Sequence, residues 1–170
     1  MIPAGIQRGD IFGFHDPHSW LAQAIEAVEG RHWTHIGWAI SDTHILQMLG
    51  RGCTKTKMTD LSWKSGELKV VRVKPDLIRV GGVEAGVCWA ERQKGRGYDY
   101  LLLAELLFGY LTHSRGWLPL TGLRRKYICS ELVARPLWNL AGFRFQQSVL
   151  PENTTPADIM DSDKVFTVWK

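Results

Sequence analysis

A run of strict alternation that meets a short turn constrains this chain more than any other stretch. Thr34-His-Ile-Gly-Trp-Ala-Ile40 sets Ile36, Trp38 and Ile40 on one face and His35, Gly37 and Ala39 on the other. A period of two held over seven residues is the mark of a half-buried strand. Ser41-Asp42-Thr43 supplies turn residues, and residues 44–49 return as the second strand of a hairpin. A three-residue loop fixes the register: Ile40 faces His44, Gly37 faces Gln47 and His35 faces Leu49. Gln47 then shares a sheet face with His35, whereas an even-length loop would send it to the other side. Gly50-Arg51-Gly52 is expected to close the hairpin.

Further strands are expected at 11–14, 68–73 and 165–169, and helices at 19–28, 76–94 and 101–110, with another beginning near Cys129. Gly30 ends the first helix, and Gly81, Gly82 and Gly86 weaken the second by about 1 kcal/mol each. Residues 112–122 read as a loop. No repeat or linker divides the chain, so residues 1–170 are read as a single domain. Its class is α+β, an antiparallel sheet packed against helices. With 170 residues, 45% of them hydrophobic and 22% charged, such a chain buries a core without help from disulfides or metal.

Composition narrows the partners. Twenty-one Lys and Arg against 17 Asp and Glu leave a formal charge of +4. The basic residues are scattered, apart from Arg124-Arg125-Lys126, so no nucleic-acid partner is expected. Cys53, Cys88 and Cys129 are an odd set without CxxC spacing, which supports neither a disulfide framework nor a zinc ribbon. A reduced, cytoplasmic setting follows, and the N-terminal residues lack a secretory pattern. Residues 101–111 are interrupted by Glu105 and reach about half the ~20 residues of a membrane-crossing helix. A metal held by His32, His35, His44 and Cys53 is not favoured, because His32 and His35 would point to opposite faces of one strand. No metal and no cofactor are expected.

Cys129 carries the sharpest chemical signal. Cys129, Leu132, Val133, Pro136, Leu137 and Leu140 share one helix face. A thiol at the helix start lies beside unpaired N–H groups and the positive end of the macrodipole, which favour thiolate and could bind an oxyanion. The plain alternative is a buried cysteine continuing an apolar stripe. Cys53, among turn residues, and Cys88, mid-helix, read as structural. A thiol nucleophile needs a base and an orienting group. His35 suits the first role, since its face is otherwise small, and Gln47 the second, its carboxamide oxygen accepting the imidazole N–H. A packed histidine and an exposed strand glutamine are the alternatives.

The order of these pieces resembles the circularly permuted, NlpC-type branch of the papain-like cysteine peptidases, close to the YiiX-like hydrolases. The matching stretches are Arg8-Gly9-Asp10-Ile11, Thr34-His35-Ile36-Gly37, Ile45-Leu46-Gln47-Met48 with Gly50-Arg51-Gly52, Gly97-Tyr98-Asp99, Tyr127-Ile128-Cys129-Ser130-Glu131-Leu132-Val133 and Thr155-Pro156-Ala157-Asp158. The resemblance implies a permuted papain-like fold, its antiparallel sheet or small barrel packed against helices. It implies a thiol hydrolase with Cys129 as nucleophile and His35 as base, and puts Tyr98 where its hydroxyl would assist oxyanion or substrate binding. Asp99, Ser130 and Glu131 would cap or support helix starts. The family's third active-site residue is commonly acidic or a histidine, and Gln47 stands there instead. The expected substrate is a small peptide, a peptidoglycan fragment or an acyl ester or thioester. The apolar residues 101–111 form either a buried helix or a contact surface for a membrane or a protein. The rival reading is a catalytically degenerate binding or structural protein that keeps the scaffold and anchors partners through some of its eight tryptophans.

Overall fold

The computed structural model describes residues 5–17, 20–61, 67–112, 126–147 and 149–169. The described elements run β1 (Ile11–His15), α1 (Trp20–Glu29), β2 (His35–Ala39), β3 (His44–Leu49), β4 (Gly52–Lys57), β5 (Glu67–Val73), α2 (Gly82–Glu91), α3 (Tyr100–Leu111), α4 (Cys129–Ala141), α5 (Pro156–Met160) and β6 (Val165–Trp169). The strands form one antiparallel sheet in the order β4-β3-β2-β1-β5-β6. The protein is therefore α+β, and among the described residues the sheet is open, with β4 and β6 as its edges. None of the described helices is long and apolar enough to cross a membrane.

Alternation along β2 separates two apolar layers. Ile36, Trp38 and Ile40 join Leu46, Met48, Val71 and the inner faces of α2, α4 and α5 in the larger one. Ala39, Ile45, Phe12, Val70 and Met58 form a smaller layer on the other side. The hairpin register is the one its three-residue turn requires, with Gly37 opposite Gln47 and Ile40 N–H donating to the His44 carbonyl at 2.9 Å.

Helix α4 lies on the larger layer and carries Pro136 in its interior. Proline has no N–H, so the Leu132 carbonyl four residues earlier loses its helical donor. The Trp38 indole N–H takes that place at 3.1 Å. Helix α2 packs along α4 through Gly82 and Gly86, where a Cβ would come to 2.8 Å from the Ala141 methyl and 3.4 Å from Leu137. The glycines that weaken this helix locally thus permit its close approach.

Several expectations need correction. The helix expected over 76–94 is shorter: Pro75–Leu77 is a 3-10 turn, and Gly81, at φ 76°, is the left-handed N-cap from which α2 starts. Gly50-Arg51 ends the hairpin as expected, but Gly52, at φ 107°, at once opens a further strand, β4, that was not expected. A Cβ there would meet the Arg96 carbonyl at 2.4 Å. Cys53 accordingly sits in a strand, 5% exposed, and burial pushes its thiol up to about 11 against the opposing charge of Lys94. The open sheet replaces the alternative of a small barrel. Helix α3 is not wholly buried, since Leu101 and Phe108 are exposed while Leu102 is covered. Most of the loop expected over 112–122 lies outside the described residues.

Candidate active site

The site is assembled where the end of the sheet meets the start of α4. Tyr98 and Tyr127 form an isolated parallel bridge, in which Asp99 N–H donates to the Tyr127 carbonyl at 3.0 Å. Two residues after Tyr127, Cys129 opens α4, so the bridge brings Tyr98 beside the thiol. The Tyr98 hydroxyl is hydrogen-bonded to Cys129, and burial together with negative charge on Cys129 holds the phenol far above its ordinary value. Tyr98 therefore keeps its proton beside the sulfur.

The N-cap of α4 is Ile128, which offers no side-chain oxygen to the first turn. The helix-start N–H groups lack intrahelical partners, and Cys129, 5% exposed, occupies the first helical position. Glu131, in the first turn, pairs with Arg135 through Oε1, while its Oε2 is buried with no hydrogen-bond partner among the described residues. Burial pushes its carboxyl up to about 7; the Arg135 guanidinium opposes this and Glu152 adds to it. Asp99 caps α3, accepting from Leu102 N–H at 3.1 Å. Ser130 does not act as a cap, because its buried hydroxyl has no hydrogen-bond partner among the described residues.

His35 is the first residue of β2, half-buried, with its ring against Phe14 of β1 at 5.6 Å. Its Nε2 lies 3.0 Å from Gln47 Oε1, while Gln47 Nε2 donates to Thr56 Oγ1, also at 3.0 Å. A carboxamide oxygen can only accept, so in this arrangement the His35 proton is on Nε2 and Nδ1 holds the basic lone pair. Desolvation holds the imidazole below its ordinary value, and the bond to Gln47 works the other way. The ring is therefore neutral at pH 7 and able to take a proton.

His35, Gln47, Thr56, Tyr98 and Tyr100 line one cavity of about 480 Å³, with Phe14, Leu49, Leu61 and Leu68 as apolar wall and Asp16, Asp60, Glu67 and Arg51 as charged groups. Cys129 is not in this lining. It joins the group through the Tyr98 hydroxyl, which is the residue common to both. His35 and Gln47 share the sheet face opposite the one on which Ile36 and Trp38 meet α4.

Thr56 and Phe14 were not anticipated as members of this group. Thr56 sits on β4, whose alternation of Thr54 and Thr56 with Lys55 and Lys57 is a period-two signal without apolar residues. The distal stretches are structural. Asp10 is fully buried, accepting from Arg72 Nε at 2.6 Å and Nη2 at 2.9 Å, and Thr155 with Asp158 forms a capping box on α5. Cys53, Cys88 and Cys129 form no disulfide. No family model matches the chain, and a search of the curated proteins also finds no match.

Proposed function

We propose that the protein is a thiol hydrolase of the permuted papain-like, NlpC type, with Cys129 as nucleophile, His35 as general base and Gln47 as the group that orients it. The Cys129 sulfur attacks a substrate carbonyl, the C–S bond forms, and the oxyanion collapses with loss of the amine or alcohol. His35 Nδ1 takes the thiol proton and returns it to that leaving group. It then takes a proton from water, whose oxygen attacks the thioester, releasing the acid and restoring the thiol. Tyr98 O–H and the α4 N–H groups are the donors available to the oxyanion. Amide or peptide bonds come first as substrates, and acyl esters or thioesters second. The cavity is of a size for a short peptide or acyl segment. Exposed Leu101 and Phe108 on α3 support a contact surface there for a membrane or a protein.

The observation that carries this reading is the relay Thr56, Gln47, His35, which leaves Nδ1 basic in a cavity lined by the tyrosine that holds Cys129. The burial of Cys129 outside that lining favours the rival, a scaffold kept for binding. Iodoacetamide labelling across pH separates the two. Modification of Cys129 at a pH well below the ~8.5 of a free thiol, lost in His35→Ala, supports the hydrolase. Equal sluggishness of all three cysteines, unchanged by His35→Ala, overturns it.

A further inference from the structure

A second group of chemically active side chains lies outside the cysteine site. His15 ends β1, Glu26 lies on α1 and His32 precedes β2, and each offers a ligand atom within 4.8 Å of the other two. His15 Nε2 stands 3.8 Å from one Glu26 oxygen and His32 Nδ1 stands 4.0 Å from the other. His15 is only 8% exposed, yet its Nδ1 has no hydrogen-bond partner among the described residues. A buried ring nitrogen without a partner is costly, and it is the opposite nitrogen, Nε2, that faces Glu26. Glu67, directly opposite His15 in the sheet, accepts from His32 Nε2 at 3.1 Å. That bond puts the His32 proton on Nε2 and leaves Nδ1, the atom facing Glu26, as a lone-pair donor. A carboxylate holding the far nitrogen of a histidine is the usual outer partner of a metal-ligating imidazole.

We propose that His15, Glu26 and His32 form a three-ligand site for a first-row divalent transition ion, zinc in the first place, with Glu67 orienting His32. Two imidazoles and one carboxylate are a nitrogen and oxygen set suited to zinc rather than to calcium or magnesium. Bonds of about 2.0–2.1 Å in a tetrahedron set ligand atoms roughly 3.4 Å apart, so the separations, all within 4.8 Å, must close as the ion enters. The two rings are 4.1 Å apart and tilted by 32°, and an ion in the plane of both requires them to part. His32, 39% exposed in its side chain, is the one with room to turn. Three protein ligands leave a fourth position open. His15 and Glu67 also line the cavity that holds His35, so the ion would bring positive charge to that cavity's wall. The site stands independently of the hydrolase reading.

Calorimetric titration of the full chain with Zn²⁺ alone, and visible spectroscopy with Co²⁺ alone, test the proposal. The expected result is one ion per chain, with affinity at least tenfold weaker in His32→Gln and Glu26→Gln, whose side chains are partly exposed and whose loss leaves the fold intact by circular dichroism. His15→Gln adds a third ligand deletion, and Glu67→Gln weakens binding by about 10–100-fold, as for other outer partners. Cys129→Ser and His35→Gln leave it unchanged. Binding that survives in the His32→Gln and Glu26→Gln variants, or that is lost with Cys129→Ser, or no binding by the native chain, overturns the site.

Discussion

Gln47 offers one acceptor group and one donor group, and Thr56 engages the donor, so the amide can only receive a proton from His35. A carboxylate in its place would stabilise imidazolium by a full charge. Gln47→Glu is therefore expected to raise the His35 imidazole by one pKa unit or more, followed by NMR titration of the ring protons. Glu131 sets up a second proton linkage, of opposite consequence to most acids. Held at about 7 when folded against an ordinary 4.5, it binds its proton more tightly in the native state. Its contribution is then fully present below about 4.5 and declines as the pH rises through about 7. The whole effect is on the order of 3–4 kcal/mol, since one unit corresponds to about 1.4 kcal/mol. Glu131→Gln keeps an acceptor for Arg135 but cannot titrate. Urea midpoints at pH 5 and pH 8 should differ less in this variant than in the native chain.

Among the elements, α4 shows how a helix defect is repaired from outside. Trp38→Phe leaves the Leu132 carbonyl buried without a donor and is expected to cost about 1–3 kcal/mol in urea unfolding. Pro136→Ala in the same background supplies an N–H at the missing position and should recover part of that loss. The β2–β3 hairpin was legible because the alternation of Ile36, Trp38 and Ile40 and the length of the turn each specify register, and they agree. Strand β4 was not legible, because Gly-Cys-Thr-Lys-Thr-Lys is an edge segment whose pairing comes from its neighbour rather than from apolar period. The place of Tyr98 beside Cys129 rests on a single bridge to Tyr127, across 29 residues, which no local pattern encodes. The His15, Glu26 and His32 group was likewise hidden, since its members come from a strand, a helix and a connection.

At the scale of the molecule, the larger core draws Ile11, Ile36 and Leu46 from the first third of the chain and Leu132, Leu137 and Ile159 from the last. Neither part has a covered apolar face without the other. Tryptophan fluorescence and far-ultraviolet circular dichroism should accordingly report the same urea midpoint, and separate curves would reveal a subdomain. The two rims of the sheet are unequal. Strand β4 turns Lys55 and Lys57 outward, a charged border that discourages pairing with another chain, whereas β6 exposes Phe166, Thr167 and Trp169. In concentrated solution the two ends of the sheet will consequently behave differently: one keeps molecules apart, the other is adhesive. Shelf life will be governed by the final strand, and a lysine at Thr167 is the simplest way to lengthen it.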